Sequence, residues 1–580
     1  WRRRPLESVR THSLPRLPPS LARFVSQSAP TTHVEKRQVI DGQQRLTTLQ
    51  IFLSAFRDVC RKLECEELAK ECEAFTLNKG MMADPRSEQF KVWPTQLDRP
   101  QFADVVLAMS REALENKHPL IRQKYARKDD PRPRMVEAYL YFYEQIHEYI
   151  QGTRTEKPIA FTIPIAERLD ECFQALKNAF QVVVIDLEQD DDAQVIFETL
   201  NARGEPLLPA DLLRNYIFLR AARHGESQEN LYNQYWRRFD DHFWRVEVKQ
   251  GRLNRPRSDL FMQHFLASRQ TIDIPVKHLF AEYKFWLDKA KPFQSVQEEL
   301  ETLARQGDDF RRIIEPKKGD PIHSIVTFLD AFDIRTAYPM LLALLDATIE
   351  ESEWVVISKT LESYLVRRAI TGLTTKNYNR VFLSLTRNMK RDGFAHENFV
   401  KQLSEQTGES VIWPSDGEFK TAWLTSHIYR TLSPPKIVHL LKRLNERCFT
   451  NKMEVISVDA SLTIEHILPQ NWIEHWPLPD GSRGVSQQEL LTFEQTHPRV
   501  IATRRRNELL QTLGNLTLVS RPLNSEMSNA PWKQKKPALL QNSLLPINHY
   551  LHSEDTWDEK AIERRGNELF NLAITLWPKS

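Results

Sequence analysis

The sequence predicts a mixed, mainly α-helical protein made of several domains, and three observations lead to this prediction. The chain has 580 residues, which leaves room for about two to four domains rather than one compact core. Long helical periods rich in Trp, Tyr and Phe fill residues 216–450. Short segments rich in β-branched residues lie on both sides of this helical region.

The composition is typical of a soluble protein from a reducing compartment. Hydrophobic residues make up 41% and charged residues 27% of the chain, and no run approaches the roughly 18 apolar residues that span a bilayer. The five cysteines form no CxxC pair, so we expect neither a zinc knuckle nor a disulfide framework. Cys60, Cys65 and Cys72 are expected on one helix. These features favour a cytoplasmic location.

Residues 1–33 differ in composition from everything that follows. They begin with Trp1, are rich in Arg, Pro and Ser, and show no helical or strand period. An Arg-rich, acid-poor start resembles an organelle transit peptide, but repeated prolines break any amphipathic helix. We therefore expect a truncated or misread N-terminus, or a disordered segment.

The first helix is predicted directly after the pentapeptide DGQQR, residues 41–45. Apolar residues then recur at steps of three and four, which is typical of an amphipathic helix: Leu46, Leu49, Leu53, Phe56, Cys60 and Leu63. DGQQR therefore lies at a helix N-terminus, where backbone N–H groups and the helix dipole favour an anion.

The side chains of DGQQR suit a phosphate group. Gly42 lets the backbone approach an anion, and Arg45 can bind two phosphate oxygens. Gln43 and Gln44 can contact a base or a ribose. Asp41 repels phosphates unless Mg²⁺ or a hydroxyl lies between them, and its alternative role is to cap the helix.

Three further segments follow this helix at a distance. Residues 182–187, VVVIDL, predict a buried strand. Residues 193–200 predict a helix that stops at the NARG turn of residues 201–204, and residues 209–215 begin another helix. We assign no chemistry to the helical region that comes next.

The segment after residue 450 predicts a small unit of two strands and a helix. Residues 462–469 and 513–519 are the strands, and a polar insertion at about residues 473–510 separates them. A helix follows from Leu523 to Lys536.

Four polar side chains converge if this unit closes: Glu465, His466, Asn515 and Asn524. His466 can take a proton from water, because the ordinary pKa of histidine is about 6.5. Asn515 can fix the imidazole through its side-chain carbonyl, while Glu465 and Asn524 offer the hard oxygens that Mg²⁺ or Mn²⁺ prefers. A general base supplies only ~10²–10⁴-fold, so hydrolysis of a phosphodiester also requires such a metal.

A nucleic-acid partner depends on a local basic patch, because the net charge of the whole chain is only +3. Between Arg499 and Lys536, eight Lys or Arg residues are offset by two Glu, a local net charge of +6. Such a patch is either a solvated face or a phosphate-binding surface. The residues that we expect to contact DNA are Arg504, Arg505, Arg506, Arg521, Lys533, Lys535 and Lys536.

The C-terminal motifs closely resemble HNH nucleases of the ββα-metal type, in particular the nuclease half of GmrSD-type modification-dependent (type IV) restriction enzymes. The resemblance lies in EHILPQ at 465–470, LGNLTL at 513–518 and the Asn that follows. It implies these roles: general base, His466; orienting residue, Asn515; metal ligands, Glu465 and Asn524. Asn529 is an alternative metal ligand, since the family often has a second Asn nearby.

The N-terminal motifs look like the GmrS-type domain of the same family. They are VIDGQQRLTTL at 39–49, FETLNARG at 197–204 and DLLRN at 211–215, with similar interior segments at 91–99 and 136–143. The resemblance implies a ParB/sulfiredoxin-like α+β domain that binds a nucleoside triphosphate and controls the nuclease by its hydrolysis. The implied nucleotide contacts are Asp41, Gly42, Gln43, Gln44, Arg45, Asn201, Arg203 and Gly204.

One difference from the family concerns the region before DGQQR. Family members usually carry a YQRxYxW-like segment and a strand there, and residues 1–33 match neither. We therefore expect a truncated N-terminal domain whose nucleotide pocket lacks one wall, which leaves NTPase activity open.

The sequence thus predicts a sensor fused to an effector. A nucleotide-binding domain at 34–220 precedes a helical connector at 221–450 and an HNH nuclease domain at 451–580. The expected activity is metal-dependent cleavage or nicking of foreign, modified double-stranded DNA, gated by a nucleotide, in phage defence. Two alternatives stay open: a non-enzymatic, nucleotide-switched DNA-binding protein, and an RNA-cleaving, toxin-like nuclease.

Overall fold

The computed structural model of the chain is mainly helical with a few short strands, which confirms the predicted fold class at that level. It divides into two compact units, Trp1–Leu207 and Leu208–Ser580. The residues that the structure describes are 23–29, 36–95, 98–120, 132–153, 162–180, 183–186, 208–250, 253–449, 461–486 and 488–579. Within these ranges, no helix combines the length and the apolar character needed to cross a membrane.

The first unit contains a three-stranded sheet in the order β2-β1-β3, formed by β1 Arg23–Ala29, β2 Lys36–Asp41 and β3 Val183–Asp186. β1 pairs antiparallel with β2 and parallel with β3. The expectation that residues 1–33 hold no strand before DGQQR is therefore wrong. β3 confirms the strand predicted at 182–187, and its Val184 side chain is 54% exposed rather than buried as expected at that position.

The helices of the first unit are α1 Gln43–Lys62, α2 Glu66–Ala74, α3 Pro85–Glu88, α4 Arg99–Leu107, α5 Arg111–Lys117, α6 Arg134–Gln151 and α7 Ile165–Ala179. α1 begins directly after Gly42, as the periodicity predicted. Cys60 lies on α1 and Cys72 on α2, so the expectation that the first three cysteines share one helix is wrong.

A buried polar network fixes α1 against α6. The guanidinium of Arg57 donates to both carboxylate oxygens of Asp58 and to the backbone oxygen of Val106, and the Tyr139 hydroxyl donates to Asp58 at 2.7 Å. Arg57 is fully buried, and its charge is balanced by the adjacent carboxylate. These contacts anchor the middle of α1, while its DGQQR end lies at the edge of the sheet.

The second unit opens with a helical region. Its helices are α8 Pro209–Arg223, α9 Gln228–Leu231, α10 His242–Arg245, α11 Arg257–Gln270, α12 Leu279–Ala290, α13 Val296–Ile314, α14 His323–Phe332, α15 Tyr338–Asp346, α16 Glu351–Ile370, α17 Tyr378–Asp392, α18 His396–Ser404, α19 Asp416–Thr425, α20 Ile428–Thr431 and α21 Pro434–Cys448. A short hairpin, β4 Glu247–Gln250 and β5 Leu253–Pro256, interrupts them. α8, which we placed at the end of the first domain, belongs to this unit.

The C-terminal part of the second unit consists of β6 Leu462–His466, α22 Glu489–Thr492, α23 Pro498–Leu509, β7 Leu516–Ser520, α24 Arg521–Met527, α25 Trp532–Asn542 and α26 Glu559–Leu576. One side of the β6–β7 hairpin joins the large core of the helical region, in which Leu441, Leu516 and Trp577 are buried together. The other side adds Val519 to a smaller core with Leu523. The hairpin is therefore sandwiched between two cores.

Candidate active site

The predicted strands of the C-terminal unit pair as an antiparallel hairpin. Glu465 lies opposite Thr517, and His466, the last residue of β6, lies opposite Leu516. α24 begins at Arg521, directly after β7. The order strand, strand, helix is confirmed, and it brings the EHILPQ and LGNLTL segments side by side.

Three of the four predicted site residues are divided between the two faces of this hairpin. Side chains alternate along a strand, so Glu465 shares a face with Thr463, and His466 shares the other face with Ile464. The Nδ2 group of Asn524 donates to Thr463 Oγ1 and to the Ile464 backbone oxygen, both at 3.0 Å. Asn524 therefore lies over the Glu465 face, while the His466 ring lies on the other.

The imidazole of His466 is held by Gln511 and Tyr429. His466 Nε2 is 3.3 Å from Gln511 Oε1, and the Tyr429 ring stands edge-on to the imidazole at 4.3 Å between centroids. Gln511 Nε2 in turn donates to Gln470 Oε1 at 3.4 Å, which sets the orientation of the amide. Burial lowers the pKa of His466 to about 4, so the ring is neutral at pH 7.

Asn515 does not contact the imidazole, and the expected contact through its side-chain carbonyl is wrong. Its Oδ1 instead accepts from the Leu468 backbone N–H at 2.8 Å and from Trp557 Nε1 at 3.1 Å. Its Nδ2 donates to the backbone oxygens of Leu468 and Leu510. Asn515 thus ties the segment after His466 to the turn that carries Gln511.

α26 supports this turn from behind. The buried guanidinium of Arg565 donates to the backbone oxygens of Gly514 and Leu516 at 2.9 and 2.8 Å. Burial lowers the pKa of Arg565 to about 10. A Cβ on Gly514 would lie 2.3 Å from the Ile562 backbone oxygen, so glycine is required where the turn meets α26.

Glu465 forms a buried ion pair with Lys535 of α25. Lys535 Nζ is 2.5 Å from Glu465 Oε1 and 2.9 Å from the His466 backbone oxygen. Burial raises the pKa of Glu465 and lowers the pKa of Lys535, so desolvation opposes both charges. Lys535 is fully buried, and the prediction that it contacts DNA is wrong.

The other cations of the basic run differ in exposure. Arg506 is buried between Glu559 and the Trp476 backbone oxygen, so its predicted DNA contact is also wrong. Arg505 and Lys536 pair with acidic side chains. Between Arg499 and Lys536, all of which the structure describes, the exposed cations without an ion pair are Arg504, Arg521 and Lys533.

The donor set on the Glu465 face fits a hard divalent cation. Both hydrogen bonds of Asn524 use its nitrogen, so within the described residues its Oδ1 is left as an unengaged oxygen. A carboxylate and an amide oxygen completed by water are ligands that Mg²⁺ and Mn²⁺ accept. Asn529 is exposed, and no hydrogen bond from its side chain reaches the hairpin in the described part of the chain.

A second group with metal-ligand chemistry, Glu353, His396 and Glu397, lies in the helical region. Glu353 accepts from the backbone N–H of His396 at 2.5 Å and contacts its Nδ1 at 2.9 Å. Glu353 thus satisfies one of the backbone N–H groups at the start of α18.

At the N-terminal candidate, Gly42 is the N-cap of α1 with φ of 94°, and its oxygen accepts from Leu46 N. Gly42 rather than Asp41 therefore holds the N-cap position, and Asp41 ends β2. Gln43, Gln44 and Arg45 are exposed, and Gln43 Nε2 donates to the Val39 oxygen. The other predicted contacts lie outside the described residues: Asn201, Arg203 and Gly204, with the helix predicted at 193–200.

Three residues around the hairpin were not predicted to act there: Gln511, Tyr429 and Arg565. Gln511 carries a sequence signal, because it is a polar residue close before Asn515 in an otherwise apolar segment. Tyr429 and Arg565 come from distant helices and carry none.

The class of protein follows from two matches with known families. Residues 413–572 match the C-terminal domain of GmrSD restriction endonucleases. Residues 13–218 match the N-terminal domain of GmrSD restriction endonuclease. These are DNA-cleaving hydrolases. No curated protein matches the chain.

The chain belongs to the GmrSD restriction endonuclease family, as its motifs indicated. The N-terminal match starts at residue 13, so the expectation that all of residues 1–33 fall outside the family is wrong. The C-terminal match starts at residue 413, inside the segment that we assigned to the connector, and includes α19, α20 and α21. Tyr429 of α20 therefore lies within the matched C-terminal domain.

Proposed function

We propose that this chain is an HNH-type, metal-dependent endonuclease or nickase. It acts on foreign, modified double-stranded DNA in phage defence, and a nucleoside triphosphate regulates it. The observation that carries the proposal is the pair of neighbours at the end of β6, where His466 is bonded to Gln511 and Glu465 shares its face with Asn524.

His466 is the proposed general base. Gln511 Oε1 can only accept a hydrogen bond, so His466 Nε2 carries the proton and donates it. This tautomer leaves the lone pair on Nδ1, which has no hydrogen-bond partner among the described residues. Nδ1 is therefore the atom that takes a proton from the attacking water.

Asn515 is a positioning residue and does not contact the reacting groups. By bonding Leu468 on both its N–H and its oxygen, it fixes the chain just after His466. Small errors in the position of a general base cost large factors in rate, so this rigidity supports catalysis.

Glu465 and Asn524 are the proposed ligands of Mg²⁺ or Mn²⁺. When bound, such an ion stabilises the charge that develops on the phosphate and on the leaving oxygen. Arg504, Arg521 and Lys533 are the exposed cations that we propose to contact phosphates. Phosphate contacts position the duplex without reading its sequence.

For the N-terminal half we propose a ParB-like nucleotide site at the start of α1. Its support is the left-handed Gly42 at the N-cap of a 20-residue helix whose first three side chains, Gln43, Gln44 and Arg45, are exposed. The two alternatives, a decayed nuclease and an RNA-cleaving enzyme, would have the same fold and are therefore distinguished by experiment.

Cleavage of defined substrates by the full chain tests the proposal. Unmodified plasmid, plasmid with modified bases and RNA are incubated with Mg²⁺ or Mn²⁺, with and without nucleoside triphosphates. We expect nicked or linear DNA only when a metal is present. RNA cleavage with intact DNA would favour the toxin-like alternative.

His466→Ala is the decisive variant, and His475→Ala is its control because His475 is exposed and lies in the same domain. We expect His466→Ala to lose cleavage and His475→Ala to keep it. DNA binding without cleavage by the wild-type protein under every condition would support the non-enzymatic alternative.

A further inference from the structure

Lys535 is the one cation of the basic run that reaches the candidate metal ligand in the described structure. Its neighbours in α25 point elsewhere: Lys533 is exposed, and Lys536 donates to the Glu554 backbone oxygen. Lys535 is 0% exposed and bonds Glu465 Oε1 and the His466 backbone oxygen together. A single ammonium therefore links the two neighbouring residues on which the proposed chemistry depends.

This position is also the one that a metal ion would need to approach. A divalent cation on Glu465 would share that carboxylate with a buried ammonium, and like charges repel strongly where water is excluded. The ion pair also neutralises the carboxylate, which weakens its attraction for a second cation. Lys535 and the metal ion thus compete for the Glu465 carboxylate.

We propose that Lys535 is an internal counter-cation that competes with a divalent metal ion for Glu465. In this arrangement the site is latched by its own lysine, and metal binding requires Lys535 to give up its bond to Glu465. The His466 backbone oxygen remains as an acceptor for the released ammonium. The inference rests on the proposed function, because it takes Glu465 to be a metal ligand.

Calorimetric titration of the metal-free full chain with Mn²⁺ tests the latch directly. Lys535→Met removes the charge and keeps an unbranched side chain, and it should bind Mn²⁺ about tenfold more tightly or better, since one buried like charge is gone. Lys560→Met, at an exposed position of α26, is the control and should bind as the wild type does. Equal or weaker binding by Lys535→Met would overturn the proposal.

Lys535→Gln covers the case in which the methionine variant does not fold. Its neutral amide can still donate to Glu465 and to the His466 oxygen, and it should also tighten Mn²⁺ binding. If circular dichroism shows a folded Lys535→Gln protein whose affinity equals that of the wild type, the latch does not exist.

Glu465→Gln separates a failure of the latch from a failure of the proposed metal site. We expect Mn²⁺ to bind this variant at least about tenfold more weakly, because one charged ligand is lost. Weak binding by Glu465→Gln together with unchanged binding by Lys535→Met would refute only the latch. Unchanged binding by Glu465→Gln would place the metal elsewhere and refute the site itself.

Discussion

The hairpin around His466 and the helix start at DGQQR are built in opposite ways. At the hairpin, Gln511 and Lys535 bond the site from positions 45 and 69 or 70 residues away in the chain. At the helix start, the bonds of Gly42 and Gln43 connect residues four apart, and the polar side chains are exposed. These bonds of the hairpin are long-range, and those of Gly42 and Gln43 are local.

This difference suits the two sites to different work. Catalysis needs reacting groups that are held in place before the substrate arrives, which long-range buried bonds provide. The exposed side chains at the start of α1 suit the ligand binding that we propose there. Substitutions should accordingly destabilise the protein more at the hairpin than at DGQQR.

The largest expected effect is that of Asn515→Leu. This change removes an amide that satisfies Leu468 N–H, two backbone oxygens and Trp557 Nε1 in a buried place. Because each buried group left without a partner costs about 1–3 kcal/mol, we expect a loss of about 3 kcal/mol or more. Asn567→Leu, at an exposed position of α26, is the control. Thermal denaturation measures both, and equal transitions would contradict the tertiary framework.

Gln511→Met should slow DNA cleavage about a hundredfold, because the imidazole loses the bond that fixes its orientation. Gln511→Glu keeps an acceptor oxygen at that place and should restore most of the rate. The exposed Gln534→Met serves as the control. Single-turnover kinetics on plasmid DNA give the rates. If Gln511→Met and Gln511→Glu are equally slow, orientation by the acceptor oxygen is not the cause.

Arg45→Ala should weaken nucleoside triphosphate binding about tenfold to a hundredfold, because a hydrogen bond to a charged group contributes about 1.5–3 kcal/mol. Its effect on stability should stay within about 0.5 kcal/mol, since Arg45 is exposed. Lys62→Ala, at the other end of α1, is the control for charge. Calorimetry measures the affinity, and an unchanged value for Arg45→Ala would remove this role from DGQQR.

The smallest effect is expected for Gly42→Ala. The backbone of Gly42 has φ of 94°, which alanine adopts at a cost of about 1 kcal/mol. Gly42→Asn should recover part of this loss, because asparagine tolerates the left-handed region better. Urea denaturation followed by fluorescence measures the series. A loss as large as that of Asn515→Leu would show that the helix start is not locally determined.

Much of the fold could be predicted from local patterns. The three- and four-residue steps after DGQQR gave the start of α1, and the β-branched runs gave β3, β6 and β7 to within a few residues. Periodicity works here because each element repeats its own burial pattern. β1 was missed because its sequence, RFVSQSA, is mostly polar and is defined by pairing with β2 nearby and with the distant β3.

The sequence indicated which residues lie near the candidate site, but it did not indicate which contacts their side chains make. Nothing in the run from Arg499 to Lys536 tells which cation turns inward, since the acids that select Arg506 and Lys535 lie 53 and 70 residues away. Asn515 was assigned to the imidazole, but its hydrogen bonds go to the backbone of Leu468 and Leu510 and to the Trp557 indole. Burial of polar groups is a tertiary property that one sequence does not display.

The most direct test of the central claim, that cleavage occurs at the hairpin, is the single-turnover rate of His466→Ala on DNA across a range of nucleotide concentrations. We predict a rate at least about a hundredfold below that of the wild type at every nucleotide concentration, because the variant lacks the general base. Nucleotide affinity should be unchanged in this variant. Cleavage by His466→Ala at the wild-type rate would contradict the assignment of the active site to this hairpin.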